Sequence, residues 1–266
     1  MMHAPFITVN TGFSLSCNTI VTVFSDLRPS KTPTRQIISP MVPKVEVELD
    51  KLKKETLEMW TLVYNQLQRA GEAVLTLDKD LARQVILRER RVNACELKID
   101  SDVEDIIALY NPVAVQLRFV LAVLKTNTNL ERIGDFAEGI ARFVLDFKEP
   151  SVDPELMKRL HLAEMIDNVL AMLQTLYEAL QKESSVLASR LFEMDSSVDE
   201  INRAAPDILV DYILENPTTN AKDALRLSGI FRKLERVGDH CTNIAEEIIF
   251  YLDAKVLKHQ GKINPE

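Results

Sequence analysis

The sequence predicts an all-α protein made of two tandem, pseudo-symmetric antiparallel three-helix bundles, and three observations carry that prediction. LERIGDFAEGIAR, from Leu130 to Arg142, returns 104 residues later as LERVGDHCTNIAE, from Leu234 to Glu246. An Asn-Pro step precedes each copy, at Asn111-Pro112 and at Asn216-Pro217. Glycine occurs only 7 times in 266 residues while Leu, Glu, Ala, Lys and Arg dominate, a balance that favours long helices over sheets.

Residues 1–43 differ from the rest: they hold five of the eleven prolines, many Ser and Thr, and one acid, Asp26. They read as an extension outside the fold, either a disordered tail or residues ahead of a true start at Met41. Apolar residues at helical spacing (Leu49, Leu52, Leu57, Trp60, Val63, Leu67, Ala70, Val74) give a first helix from Lys44 to Leu77, with Trp60 in the core. Asp78-Lys79-Asp80 supplies turn and capping residues for a second helix ending at Tyr110. Asn111-Pro112 closes it, and a third helix runs to about Phe147. Glu149-Pro150-Ser151 reads as a linker, so that residues 44–150 form the first three-helix repeat. The second repeat, residues 151–254, is expected to place helices at Pro154 to Lys182, Ser184 to Glu215 and Pro217 to Leu252. Pro206 should kink or break the middle one. Residues 255–266 read as a frayed tail.

A formal charge of −8 and a pI near 5.2 argue against nucleic acid as a partner, because binding phosphate backbones rests on neutralising them with Lys and Arg. Cys17, Cys95 and Cys241 form no C-x-x-C pair and are odd in number, which points to reduced thiols in a cytoplasmic protein. The chain contains no run of about 18 uninterrupted apolar residues, so direct membrane insertion is not expected.

The repeated motif carries the chemistry. On a helix, Leu130, Ile133, Ala137, Ile140 and Val144 share one face, and Leu234, Val237, Cys241, Ile244 and Ile248 repeat it. Beside that stripe, Glu131 and Asp135 lie one turn apart, as do Glu235 and Asp239. Like charges so placed destabilise an isolated helix by roughly 0.2–0.5 kcal/mol, and the same penalty at equivalent places invites a compensating cation. A second four-residue pair occurs on the preceding helix, Glu89 with Asn93 and Asp195 with Asp199. Asn93 and Asp199 precede their Asn-Pro corners by 18 and 17 residues, while Glu131 and Glu235 follow by 20 and 19. With equal rise in both helices, each repeat gathers four oxygen-bearing side chains at one level.

Two readings compete for these residues. One is a solvated charged face, with Arg90, Arg91, Arg132 and Arg236 neutralising acids across the helices. The other is a metal site: oxygen ligands of this kind suit magnesium, manganese or iron, with zinc also admissible. Two pairs per repeat, in two repeats, favour metal. Asn93 lowers the charge of the first site, so the second is expected to bind more strongly. Gly134 and Gly238, each just before the motif Asp, are read as close-packing positions, because a mid-helix glycine costs about 1 kcal/mol against alanine. His240 reads as incidental and Cys241 as a buried thiol.

With LERIGD and LERVGD on third helices, each preceded by a second-helix acidic pair, the chain between Val45 and Leu252 resembles the PhoU family of phosphate-signalling proteins. The resemblance implies metal ligation by Glu89, Asn93, Glu131 and Asp135 in the first repeat and by Asp195, Asp199, Glu235 and Asp239 in the second. It further implies a cytoplasmic, homodimeric, non-catalytic regulator. Such a regulator couples the ATPase of a phosphate ABC transporter to a sensor histidine kinase, restraining uptake and the phosphate-starvation response. The alternative is a carboxylate-bridged metal store or oxidase. That class places Glu-x-x-His on its helices, and neither His161, His240 nor His259 has a Glu three residues earlier.

Overall fold

Each helix starts and stops where the sequence punctuates it. The computed structural model describes residues 44–147, 153–215 and 217–257; the extension 1–43, the linker at Glu149-Pro150-Ser151 and Asn216 fall outside the described residues, as does most of the expected tail. Among the described residues there are eight helices and no strand: α1 (Lys44–Thr76), α2 (Lys79–Tyr110), α3 (Val115–Asp146), α4 (Pro154–Arg159), α5 (Leu162–Lys182), α6 (Ser185–Ser189), α7 (Leu191–Glu215) and α8 (Pro217–Asp253). Asp78 caps α2, its carboxylate accepting from the amides of Asp80 and Leu81, both at 2.9 Å. Asn111 ends α2 in the left-handed region, φ 47°, a conformation that asparagine tolerates better than most residues. Among the described residues no helix is long and apolar enough to cross a membrane.

Helices α1, α2 and α3 pack on one another as one three-helix unit, and α5, α7 and α8 as another. The units meet along α3 against α8 and α1 against α5. The apolar stripes of the repeated motif, from Leu130 to Val144 and from Leu234 to Ile248, are buried in the hydrophobic core. Polar links lie beside them: Lys125 Nζ donates to Glu247 Oε2 at 2.9 Å, and Arg118 Nε to the Tyr251 carbonyl at 3.2 Å. Trp60, expected in the core, is 1 % exposed. Its indole N–H crosses from α1 to the Leu173 carbonyl of α5 at 3.0 Å, and its ring meets Tyr177 edge-on at 6.4 Å.

The second unit departs from the expected helix boundaries in two places. The helix expected from Pro154 to Lys182 divides into α4 and α5 at His161, which adopts φ 52°. Leu160 and Leu162 are both buried, and two residues that far apart on a straight helix face opposite ways, so the reversal lets both point inward. The helix expected from Ser184 likewise divides, into α6 and α7 at Arg190, with i→i+3 bonds from Arg190 N to Leu187 O and from Glu193 N to Arg190 O. Pro206, by contrast, does not break α7, which runs unbroken through it. Proline there leaves the Asn202 carbonyl without its usual amide, and both residues line an open groove where water can supply the partner.

Because Trp60 ties the two units together, Trp60→Ala is expected to lower unfolding stability by about 3–5 kcal/mol, read from urea transitions followed by circular dichroism. A loss below about 1 kcal/mol contradicts this role for the α1–α5 contact.

Candidate metal centre

The second unit holds the simpler arrangement. Asp195 and Asp199 project from consecutive turns of α7, Glu235 and Asp239 from consecutive turns of α8, and these helices pack directly on each other. Gly238 makes the approach possible: a Cβ there would lie 3.0 Å from Asp195 Oδ1 and 3.6 Å from Val198 Cγ1. The close approach expected of this glycine is therefore to an acidic side chain as well as to apolar packing. Burial pushes the Asp195 carboxyl up to about 6, with Asp199, Asp239 and Glu235 adding repulsion in that order. Burial also raises Glu235, followed by repulsion from Asp239 and Asp199, while Arg236 and Arg232 partly oppose the shift. All four expected residues thus act on one another. Among the described residues none of the four forms an ion pair within 4.0 Å.

The first unit places Gly134 in the same way, with a Cβ position 3.2 Å from Val92 Cγ1 and 3.3 Å from Glu89 Oε2. Glu89 is only 5 % exposed; Gln66 donates to its Oε2, while its Oε1 is buried with no hydrogen-bond partner. Burial pushes Glu89 up to about 7; the Gln66 bond opposes this, and Asp135, Glu138 and Glu131 reinforce it. Glu131 is raised by burial, then by Asp135 and Glu96. Arg132 partly neutralises this side, lying 3.3 Å from Asp135 and 3.6 Å from Glu131. The charged-face reading therefore holds for Arg132; among the described residues Arg90, Arg91 and Arg236 make no such pair. Asn93 sits one turn from Glu89 on an exposed stretch and makes no side-chain hydrogen bond among the described residues.

Three contributors lay outside the expected set. Glu96 and Glu138 each follow a site acid by seven residues, two turns along the same face, which was the available signal. Gln66 stands on the apolar stripe between Val63 and Ala70, a polar residue at a core position. His240 is not incidental. Its Nδ1 lies 2.7 Å from Asn129 Oδ1 and its ring 5.5 Å from Phe136, so it links α8 to α3, and burial depresses its pKa. Cys241 is a buried thiol, with burial raising its pKa.

As the side chains stand, no three His, Cys, Asp or Glu groups among the described residues converge tightly enough to ligate one cation. The donors nonetheless fit a hard cation chemically: all are oxygens, four of the carboxyls (Glu89, Glu131, Asp195 and Glu235) are raised by burial, and Glu89 Oε1 lacks a partner.

The fold defines a tandem helical-bundle protein whose two bundles each carry acidic side chains on adjoining helices beside a motif glycine. The PhoU domain family pattern matches residues 56–144 and 162–248. The chain is 35% identical over 213 residues to a phosphate-specific transport system accessory protein PhoU homolog 1 of Thermotoga maritima, covering 80% of this chain and 90% of that one. It is 32% identical to the PhoU accessory protein of Escherichia coli, covering 80% and 87%. The crystal structure of PhoU from Pseudomonas aeruginosa superposes with a TM-score of 0.75 at 30% identity, over 80% of this chain and 100% of that one. The chain belongs to the PhoU family.

The raised carboxyls set a pH dependence. Glu89 titrates at about 7 in the fold against 4.5 when free, so the folded state binds more protons between those values. Stability therefore falls as pH rises through that window, and the penalty is fully present above it. In chelator, the urea midpoint of the wild type is expected to drop from pH 4.5 to 8, with Glu89→Gln flatter and more stable at pH 8. Parallel profiles would refute a strained Glu89.

Proposed function

We propose that the protein is a non-catalytic accessory regulator of phosphate transport, acting in the cytoplasm as an adaptor. In this role it touches the ATPase of a phosphate ABC transporter and a phosphate-responsive sensor histidine kinase, working as a homodimer that restrains uptake and starvation signalling. Membership in a family whose relatives carry the description phosphate-specific transport system accessory protein is the observation that carries this reading. Apolar surface at the ends of the helices suits docking: Leu109, Leu214 and Leu225 are 73%, 71% and 72% exposed.

Within this role, the eight site residues hold cations: Asp195, Asp199, Glu235 and Asp239 in the second unit, and Glu89, Glu131 and Asp135, with Asn93 beside them, in the first. Magnesium, manganese, iron or zinc is admissible. A bound cation supplies positive charge that offsets the repulsion between the helices. Asp195 and Glu235, on different helices, are placed to be drawn together, so that α7 and α8 become one rigid face. In the first unit Gln66 holds one oxygen of Glu89 and leaves the other available, while Arg132 competes for Glu131 and Asp135. Among the described residues no ion pair within 4.0 Å engages the four acids of the second unit, and with Asn93 lowering the charge of the first site the second binds more strongly. An oxidase or metal store is less well supported, since His161 pairs with Glu164 at 2.9 Å and His240 with Asn129.

Two measurements test this. Glu235→Ala with Asp239→Ala is expected to lower the metal content of purified protein more than Glu131→Ala with Asp135→Ala; equal losses would contradict the ranking. Affinity capture from cells grown with and without phosphate is expected to recover the transporter ATPase or the sensor kinase, with no oxygen consumption by the iron-loaded protein. Ferroxidase turnover, or capture of neither partner, overturns the adaptor reading.

A further inference from the structure

The two units share one plan but differ in the chemistry beside their carboxylates. Val92 and Val198 each lie against the motif glycine of their unit, which fixes the α2-to-α7 correspondence at 106 residues, while the repeated motif fixes α3 to α8 at 104. By this register Glu96 corresponds to Asn202, Asp100 to Pro206, Asn127 to Phe231, Thr128 to Arg232 and Arg132 to Arg236. In the first unit Asn127 fills the space between helices, donating to Asp100 Oδ1 at 2.8 Å and to the Glu96 carbonyl at 2.9 Å. Pro206 and Phe231 cannot form that bridge. In its place a groove of about 380 Å³ opens beside the carboxylate site, lined by Asn202, Ser228, Arg232, Arg236 and Glu235. Two acids of the first unit have thus given way to neutral residues, and a threonine to an arginine.

Arg232 and Arg236 stand one turn apart on α8, and among the described residues neither has an ion pair within 4.0 Å. Arg132, the counterpart of Arg236, is by contrast engaged with Glu131 and Asp135. Two unpaired guanidinium groups on one face, with a hydroxyl and an amide beside them, match the acceptor pattern of a tetrahedral oxyanion, which arginine binds through paired N–H donors. The groove far exceeds the roughly 30 Å³ that one water occupies, so a hydrated dianion enters without rearrangement.

We propose that this groove is a binding site for a small free oxyanion of the phosphate class, gripped by Arg232 and Arg236 with Asn202 and Ser228 as neutral donors. Glu235 borders both this groove and the acidic cluster, and its charge opposes an anion until a cation neutralises it. The coupling rests on the cation reading above, and by linkage the anion strengthens the cation as much as the cation strengthens the anion.

Equilibrium dialysis of radiolabelled inorganic phosphate against the full chain, with and without Mn²⁺ and with bound Mn²⁺ counted in the same samples, tests the proposal. Saturable binding near one phosphate per chain is expected, tighter with Mn²⁺. Arg232→Gln with Arg236→Gln is expected to weaken it at least about tenfold at unchanged circular dichroism, while Arg83→Gln, at an exposed arginine of α2 outside both sites, leaves it intact. The proposal is overturned by an absence of saturable binding at millimolar phosphate. It is equally overturned if binding survives the double change, as phosphate held by the cation alone would. Failure to bind Mn²⁺ while phosphate still depends on the arginines removes the cation reading and leaves the groove standing.

Discussion

Carboxylates pressed against an apolar helix seam, with their repulsion left largely unanswered by the protein's own cations, are the constraint from which the rest of the molecule follows. In each unit a glycine on the third long helix lets the neighbouring helix bring an acid side chain within van der Waals range of the backbone, Glu89 at Gly134 and Asp195 at Gly238. Burial then raises the pKa of both groups. A helix pair built for stability alone would place alanine and an apolar partner there, gaining about 1 kcal/mol in helix propensity. That the sequence forgoes this gain twice, at matching positions, sets these places apart from ordinary packing.

The two sites answer the same strain differently. In the first, Gln66 reaches across from α1 to one oxygen of Glu89, and Arg132 leans on Glu131 and Asp135. In the second, the residue 106 positions after Gln66 is Met172, whose Cε lies 4.0 Å from the Cβ position of Gly238, so no amide is offered there. Protein groups thus quiet the first site in part, whereas the second retains more of its charge. The units are locked together by α3 on α8 and by Trp60 on α5.

Much of this was legible in the sequence because the relevant signals are local and periodic. The motif repeat, the Asn-Pro corners and the 3.6-residue stripes located the six long helices, and the i, i+4 spacing located the acids. The breaks at His161 and Arg190 were not legible, since they arise from tertiary burial of neighbouring leucines and from a tightened turn. Pro206 does not break α7, and the open groove at its side leaves the Asn202 carbonyl accessible to water. Gln66 and the link between His240 and Asn129 join residues 23 and 111 apart in sequence, and no pattern within one helix announces them.

Anomalous diffraction at the manganese edge, from crystals grown with Mn²⁺, tests the central claim most directly. The expected result is a strong peak between α7 and α8 within ligand distance of Asp195 and Glu235, with a weaker one between α2 and α3 near Glu89. Peaks confined to other surfaces, or none at all with the four acids of the second unit still apart, would contradict it.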